Sequence, residues 1–91
     1  MEHIACAEFG SNAWSGEYKL ISGDQWSNAD GSYWIYHDDF FWYITDSQFH
    51  YDHDHTVATK IHGKTNGCTW VDGPYTGRNG NPDGYVKLGI C

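Results

Sequence analysis

Apolar and aromatic residues alternate with polar ones in short runs along this chain, and polar segments separate the runs. A two-residue period is typical of β-strands with one buried face, and no window of three turns shows helical spacing. Strands of this spacing predict an all-β fold, either a small antiparallel sandwich or a partly open barrel. Six strands are predicted, over residues 17–22, 32–37, 40–45, 56–62, 68–72 and 85–90.

Turn residues mark the connections between these strands. Asn66-Gly67 predicts a tight hairpin, and His37-Asp38-Asp39 predicts a short polar turn. Three longer polar segments are predicted to be loops: 22–32, 46–55 and 73–84.

Residues 33–43 form the most aromatic segment, with seven rings in eleven residues and the polar residues together in its middle. This composition predicts a β-hairpin whose strands carry large rings on both faces. One face can fill a core. The other must be covered by another part of the fold, by a partner chain or by a ligand.

The length of 91 residues predicts a single aromatic-rich domain over residues 1–91. Twelve acidic residues against five scattered basic ones give a net charge of −7, so the chain lacks the basic footprint of a nucleic-acid binder. No apolar run approaches the roughly 20 residues of a membrane span. Protonation of all six histidines would bring the charge to −1, which favours self-association near pH 5.

The three cysteines, Cys6, Cys68 and Cys91, lack the close spacing of a zinc or thioredoxin site. Loop-closure entropy favours a Cys6–Cys91 bridge over Cys68–Cys91 by only about 1 kcal/mol, which does not decide the pairing. We predict Cys6–Cys91 because this bridge secures both ends, and Cys68 is then an unpaired or intermolecular thiol. The protein is accordingly predicted to be secreted or extracellular, with a reduced cytosolic protein as the alternative.

Residues 50–55 are a candidate metal site, because imidazole and carboxylate groups together suit zinc, nickel or copper. An extended backbone would place alternate side chains on the same face, and His37 and His62 are candidates to complete the site. A hydrophilic surface loop whose charges offset one another is the alternative. The candidate ligands are His50, Asp52, His53, Asp54 and His55.

The segment 79–84 resembles the first half of a calcium loop. Asn79, Asn81 and Asp83 supply oxygen side chains at alternate positions, and Gly84 follows at the sixth. Ile90 stands where such a loop has its bidentate glutamate. A turn-rich connection is therefore the alternative.

Exposed tryptophans beside polar residues are candidates for a sugar site, because sugars stack their apolar faces on aromatic rings while polar side chains bind the hydroxyls. Trp26 and Trp70 lie in or beside polar segments and are predicted to be exposed. The alternative is that all five tryptophans fill the core. The predicted ligand-binding residues are Trp26, Trp70, Asp24, Gln25, Asn28 and Asp72.

Catalytic motifs are lacking: no serine has a Gly-x-Ser-x-Gly context, and no phosphate-binding glycine loop precedes a helix. The protein is predicted to be non-catalytic and to require no cofactor, with zinc, copper or calcium as possible ligands.

An ordered set of short motifs runs between Cys6 and Cys91: Gly16-Glu17-Tyr18, Tyr33-Trp34-Ile35-Tyr36 and Trp42-Tyr43-Ile44. In this order the chain resembles short aromatic-rich, cysteine-bounded β repeats of extracellular multidomain surface proteins from protists and marine invertebrates. The resemblance implies a secreted, disulfide-linked β module used in adhesion or surface display.

Three functions follow from these observations. The first is a secreted binding or adhesion module that recognises a glycan or an extracellular protein through exposed aromatics and acidic loops. The second is a structural subunit of an extracellular fibre or matrix, which self-associates through exposed strand edges, aromatic faces and Cys68. The third is a metal-binding protein that uses residues 50–55.

Overall fold

The computed structural model describes residues 3–48, 50–62 and 70–91, and in these ranges the chain forms a closed antiparallel barrel. Each strand pairs with its neighbours in sequence, and β1 pairs with β8 to close the barrel. The strands are β1 (Ile4–Glu8), β2 (Gly16–Ser22), β3 (Gln25–Asn28), β4 (Trp34–His37), β5 (Phe41–Thr45), β6 (Thr56–Ile61), β7 (Gly73–Gly77) and β8 (Gly84–Leu88).

The predicted all-β antiparallel class is confirmed, but the six-stranded sandwich or partly open barrel is wrong, because eight strands close the barrel. The missed strands, β1, β3 and β7, each bury few large side chains. Ala5 and Ala7 are the buried apolar residues of β1 beside Cys6, while β3 buries only Trp26 and β7 only Tyr75. Hydrophobic alternation is faint in such segments.

The predicted loops have mixed outcomes. The segment 46–55 does connect β5 to β6, but 22–32 contains β3, and 73–84 contains β7. Residues 70–72 of the predicted strand at 68–72 are not in a strand, and the rest of it lies outside the described residues, as does the hairpin at Asn66-Gly67. Among the described residues, no helix has the length and apolar character needed to cross a membrane.

Successive connections alternate between the two ends of the barrel. One end, here called the disulfide end, carries the turns at 23–24 and 38–40, the end of β6, the start of β7, the start of β1 and the end of β8. The opposite end, called the long-loop end, carries the connections 9–15, 29–33, 46–55 and 78–83.

Three tryptophans pack together in the interior near the disulfide end. The ring centroid of Trp70 lies 6.2 Å from that of Trp26 and 5.9 Å from that of Trp42, both in edge-to-face geometry. Trp26 and Trp42 are fully buried, and Trp70 is half-buried. Edge-to-face pairs add to the stabilisation that comes from buried area, so this cluster is a major part of the core.

A second aromatic cluster fills the interior near the long-loop end. Phe9 packs edge to face on Trp14 and Tyr75, with ring centroids 6.2 and 6.5 Å away. The phenol of Tyr18 donates a hydrogen bond of 2.7 Å to the carbonyl of Trp14. Phe9 also covers Gly84, where an added Cβ would lie 2.2 Å from Cδ2 of Phe9. The strand therefore needs a glycine at this position.

The predicted Cys6–Cys91 disulfide is confirmed, and it joins β1 to the segment that follows β8. The two Cα atoms lie 5.2 Å apart, and the N–H of Gly89 donates to the carbonyl of Ile4 at 2.8 Å across the same seam. Cys68 lies outside the described residues.

All eight described strands are paired on both sides, so the exposed strand edges expected of a self-associating subunit are wrong for this part of the chain. The pairing of β6 with β7 is limited to Ala58–Gly77 and Thr59–Thr76. Pro74, which has no N–H to donate, lies in the part of β7 beyond this pairing. The two strands therefore separate towards the disulfide end.

Candidate ligand-binding groove

The outward face of the β4–β5 hairpin carries a row of aromatic rings. Tyr36 stacks on Tyr43 with ring centroids 5.3 Å apart, and Phe41 lies 6.1 Å from Tyr43 on the same strand. Tyr51, from the connection 46–55, lies against this row with its centroid 5.1 Å from that of Tyr43. The second ring-bearing face of the predicted hairpin is thus covered partly by another segment of the chain.

The Asp38 carboxylate fixes the turn below these rings. Its Oδ1 accepts hydrogen bonds from the N–H groups of Phe40 and Phe41, at 2.8 and 2.9 Å, and its Oδ2 accepts one from the phenol of Tyr43 at 2.7 Å. Burial acts to raise the pKa of Asp38, but these hydrogen bonds together lower it. Burial and the hydrogen bond to Asp38 raise the pKa of Tyr43, so its phenol stays a neutral donor and its ring is held in place.

A concave groove of about 260 Å³ lies beside the row of rings on the outside of the barrel. Tyr43, 6 % exposed, forms its floor, whereas Tyr51 is 49 % exposed and forms a wall. We call this feature the tyrosine groove. Its aromatic lining is Phe41, Tyr43 and Tyr51, and its polar lining is His53, Thr56, Thr59 and Arg78.

Hydrogen bonds from the connection 78–83 to β6 and to the connection 46–55 fix the polar wall of the tyrosine groove. The Nε–H of Arg78 donates to Oγ1 of Thr59 at 2.8 Å. The side-chain amide of Asn79 donates to the carbonyl of Thr56 at 3.0 Å and to that of His53. Asn79 has a φ of 55°, a left-handed conformation that asparagine adopts more readily than most residues. These contacts fix the orientation of the polar wall.

A second depression, of about 680 Å³, adjoins the tyrosine groove, and Arg78 lines both. It opens where β6 and β7 separate beside Pro74. Lys60 crosses this opening, and its ammonium donates hydrogen bonds to the carbonyls of Trp70 and Asp72. Burial lowers the pKa of Lys60. The second depression therefore extends the tyrosine groove towards the disulfide end.

The two tryptophans predicted to bind sugar occupy different environments. Trp26 is 0 % exposed, so its predicted exposure is wrong. Its polar neighbours Gln25 and Ser27 alternate with it along β3, and this alternation turns the indole into the barrel. Trp70 packs against the same core but also lines the second depression, beside the predicted residue Asp72.

The other polar residues predicted for that sugar site lie apart. Asp24 and Gln25 line a small depression with His37 at the disulfide end. Asn28 lies towards the opposite end, where its side chain accepts hydrogen bonds from the N–H groups of Ser32 and Tyr33. The predicted set does not form one site, because the antiparallel path of β3 carries Gln25 and Asn28 to opposite ends.

The predicted metal-binding segment 50–55 forms turns, so the extended backbone assumed for it is wrong. The carbonyl of Asp52 accepts from the N–H groups of His55 and Thr56, both at 3.0 Å, and its carboxylate accepts from the N–H of Asp54 at 3.0 Å. Aspartate commonly forms such turns with the backbone that follows it. Nδ1 of His55 lies 2.6 Å from the carboxylate of Asp46, outside the predicted set.

The remaining candidate metal ligands are also dispersed. His53 lines the tyrosine groove, and His50 is exposed. His37 and His62 lie at the disulfide end and cannot complete a site at the long-loop end. In the part of the chain that the structure describes, no three His, Cys, Asp or Glu side chains form a group that could hold a metal ion.

The side chains of the predicted calcium ligands are engaged in hydrogen bonds with the backbone of this loop and of neighbouring segments. The amide of Asn79 donates to the carbonyls of His53 and Thr56. The amide of Asn81 donates to the carbonyl of Arg78 at 2.7 Å, and the carboxylate of Asp83 accepts from the N–H of Gly77 at 2.8 Å. These contacts are those of a turn-rich connection, the alternative that the sequence offered.

Two imidazole rings stack at the disulfide end. The centroids of His37 and His62 lie 4.3 Å apart, and Nε2 of His37 lies 2.6 Å from the carboxylate of Asp24. His62 is 5 % exposed. Burial first, and then the charge of His37, lower the pKa of His62 below its ordinary value of 6.5, although Asp24 and Asp39 oppose this shift.

This arrangement predicts a stability that falls in mild acid. Below about pH 6.5 the unfolded chain takes up a proton that folded His62 resists, so its contribution is complete above that pH and is lost as the pH falls towards the lowered pKa. The free energy of unfolding should therefore be smaller at pH 5 than at pH 7.5. Urea unfolding at both pH values measures the difference. His62→Gln should reduce it, and His50→Gln, at an exposed position, should not; an unchanged difference in His62→Gln would contradict the assignment.

Sequence reasoning missed Tyr43, Tyr51 and Arg78 as groove residues. The alternation of β5 does signal that Phe41 and Tyr43 face away from Trp42, so the aromatic floor could have been located. No local pattern indicates that Tyr51 and Arg78 reach the same place.

Comparison with family models, with curated proteins and with solved structures finds no match to this chain. The resemblance to extracellular aromatic repeats therefore stays a prediction, and function has to be inferred from the groove itself.

Proposed function

We propose that this protein is a non-catalytic, extracellular binding module that recognises carbohydrate in the tyrosine groove. The observation that carries the proposal is a concave surface with an aromatic floor and wall, opposite a wall of polar side chains. Two tyrosine rings, Tyr43 and Tyr51, lie 5.1 Å apart on the outside of a barrel whose core is already filled by other rings.

The chemistry of the two walls suits a sugar. The exposed ring of Tyr51 and the half-buried ring of Phe41 offer apolar surface for the C–H face of a pyranose. Arg78 offers N–H donors and His53 offers an imidazole to the sugar hydroxyls. Thr56 and Thr59 are buried, and their hydroxyls already bond to the carbonyl of Asp52 and to Nε of Arg78, so they position this wall. Sites of this kind combine apolar lining with a few oriented polar groups.

The size of the surface favours an oligosaccharide over a single sugar. The tyrosine groove continues past Arg78 into the second depression, where Trp70 offers another ring and Asp72 lies nearby. Two of the six residues predicted from the sequence to bind sugar thus adjoin the groove. The extracellular location is supported by the Cys6–Cys91 disulfide, because such bonds persist in oxidising compartments.

Removal of the exposed wall should weaken sugar binding without unfolding the protein. We expect Tyr51→Ala to lower the affinity for the best oligosaccharide by about tenfold, since the stacking surface is lost while the barrel core is untouched. A glycan array of neutral and anionic oligosaccharides identifies the ligand, and isothermal titration calorimetry measures the affinity.

The matched control for this experiment is Tyr85→Ala. Tyr85 is 46 % exposed, close to the 49 % of Tyr51, but it lies on β8 and lines neither the tyrosine groove nor the second depression. Tyr85→Ala should bind sugar as the unmodified protein does. Failure of the protein to retain any glycan on the array, or equal losses in the two variants, would refute carbohydrate binding in the groove. Light scattering on the same samples tests the alternative of a self-associating subunit.

A further inference from the structure

The lining of the tyrosine groove has a charge opposite to that of the protein. The chain carries twelve acidic and five basic residues, for a net charge of −7. Among the described residues that line the groove, however, Arg78 and His53 are the ionisable groups that can be positive, and none is Asp or Glu. The described lining of the tyrosine groove itself therefore carries the permanent positive charge of Arg78 and no carboxylate, and Asp72 lines the adjoining second depression.

Arg78 is oriented into this site with most of its hydrogen-bonding capacity unused. A guanidinium has five N–H donors, and the Nε–H of Arg78 is the one that binds Thr59. In the part of the chain described here, the other four have no acceptor, and no carboxylate pairs with Arg78. The contrast is Lys87, which lies on β8 outside the groove lining and pairs with Glu8 at 3.3 Å.

The fixed geometry of a guanidinium determines which ligands it can favour. Its paired N–H groups match the two oxygens of a carboxylate or sulfate, and such charge-assisted pairs are stronger than bonds to neutral hydroxyls. The bond from Nε to Thr59 limits the rotation of the group, so less conformational freedom is lost when an anion binds.

We propose that the ligand of the tyrosine groove is an anionic saccharide, whose carboxylate or sulfate pairs with the guanidinium of Arg78 while its ring stacks on Tyr51. This inference rests on the proposed carbohydrate binding and specifies its ligand. Charges more than about 8 Å away are largely screened at physiological ionic strength, so the net charge of −7 opposes binding mainly through carboxylates near Arg78, such as Asp72 in the adjoining second depression.

The test uses sets of three oligosaccharides with one backbone: the neutral hexose form, the corresponding uronic acid and the sulfate ester of the neutral form. We expect the unmodified protein to bind at least one anionic form about tenfold more tightly than the neutral form. The relative affinities of the uronic acid and the sulfate ester show which anion is preferred. Calorimetry with each anionic form and with the neutral form gives the ratio of the two affinities for one protein sample. This ratio does not depend on the fraction of the protein that is folded.

Substitution of Arg78 should abolish the preference for the anionic form over the neutral form. Arg78→Gln should bring the ratio of the two affinities close to one, and Arg78→Lys, which keeps the charge but not the paired donors, should give an intermediate value. Lys87→Gln makes the same change in net charge away from the groove and should leave the ratio at its original value. Thermal unfolding confirms that the variants are folded.

The outcomes separate the two proposals. Equal affinity for neutral and anionic forms in the unmodified protein would overturn the assignment of an anionic ligand while leaving carbohydrate binding in place. A preference that persists in Arg78→Gln, or that also disappears in Lys87→Gln, would overturn the role of Arg78. Absence of binding to every member of every set would refute the proposed function itself.

Discussion

Replacement of both Cys6 and Cys91 by alanine is expected to lower the free energy of unfolding by about 4.6 kcal/mol, the chain-entropy value for a loop of this length. The two cysteines are separated by 85 positions, so the bond restricts almost the entire unfolded chain. It also secures the seam between β1 and β8, where the inward side chains of β1 are the small residues Ala5 and Ala7. Because domains of this size have about 5–15 kcal/mol of stability, the loss is a large fraction of the total.

Chemical unfolding of oxidised and reduced protein measures this effect. Reduction of the unmodified protein should lower the midpoint to that of the double alanine variant, and the reductant should leave that variant unchanged. Ser22→Ala at the end of β2 provides a control substitution on the surface. A double variant that retained the midpoint of the oxidised protein would show that strand pairing alone holds the seam.

Truncation of Trp42 is the second substitution with a large expected effect. Trp42 is fully buried between the imidazole of His37, with centroids 4.6 Å apart, and the indole of Trp70. We expect Trp42→Ala to cost about 3–5 kcal/mol of unfolding free energy, because it removes the buried ring and leaves a cavity. Urea unfolding, with the slope of the transition compared between variants, measures the loss.

Two further aromatic truncations define the specificity of this effect. Tyr85→Ala and Tyr51→Ala each remove a phenol ring from an exposed position. Each should therefore lower the free energy of unfolding by much less than Trp42→Ala does. Trp42→Ala is thus expected to lower the stability of the fold. Tyr51→Ala is expected to lower the affinity for sugar and to leave the stability nearly unchanged. A stability loss below about 1 kcal/mol in Trp42→Ala would contradict the interior packing described here.

Five of the eight described strands were located from the sequence. The predicted segments overlap β2, β4, β5, β6 and β8, where large apolar or β-branched residues either alternate with polar ones or follow one another in a run. The missed strands have small or solitary inward residues, such as Ala5 and Ala7 in β1. Larger side chains on the paired strands, such as Tyr18 opposite Ala5, fill the core next to β1 instead. Closure was not predictable from local alternation, since it depends on the total number and length of strands.

The groove shows the same limit at the level of side chains. The composition of residues 33–43 predicted a hairpin with rings on both faces, and Tyr43 on the outward face forms the floor of the groove. Tyr51 and Arg78 join it only because the connections 46–55 and 78–83 emerge at the same end of the barrel. Trp26 illustrates the opposite error, because polar neighbours on a short strand suggested exposure for a residue that the pleat turns inward.

The position of the disulfide also determines how the molecule would respond to force. The Cα atoms of Cys6 and Cys91 are 5.2 Å apart, so tension applied at these two residues is carried by a covalent bond and does not reach the hydrogen bonds of the sheet. With the bond intact the module is an inextensible link. Cleavage of the bond would expose the sheet to the load, and the released chain could lengthen to on the order of 300 Å at ~3.3–3.6 Å per residue. A reducing agent would thus convert a stiff tether into a compliant one.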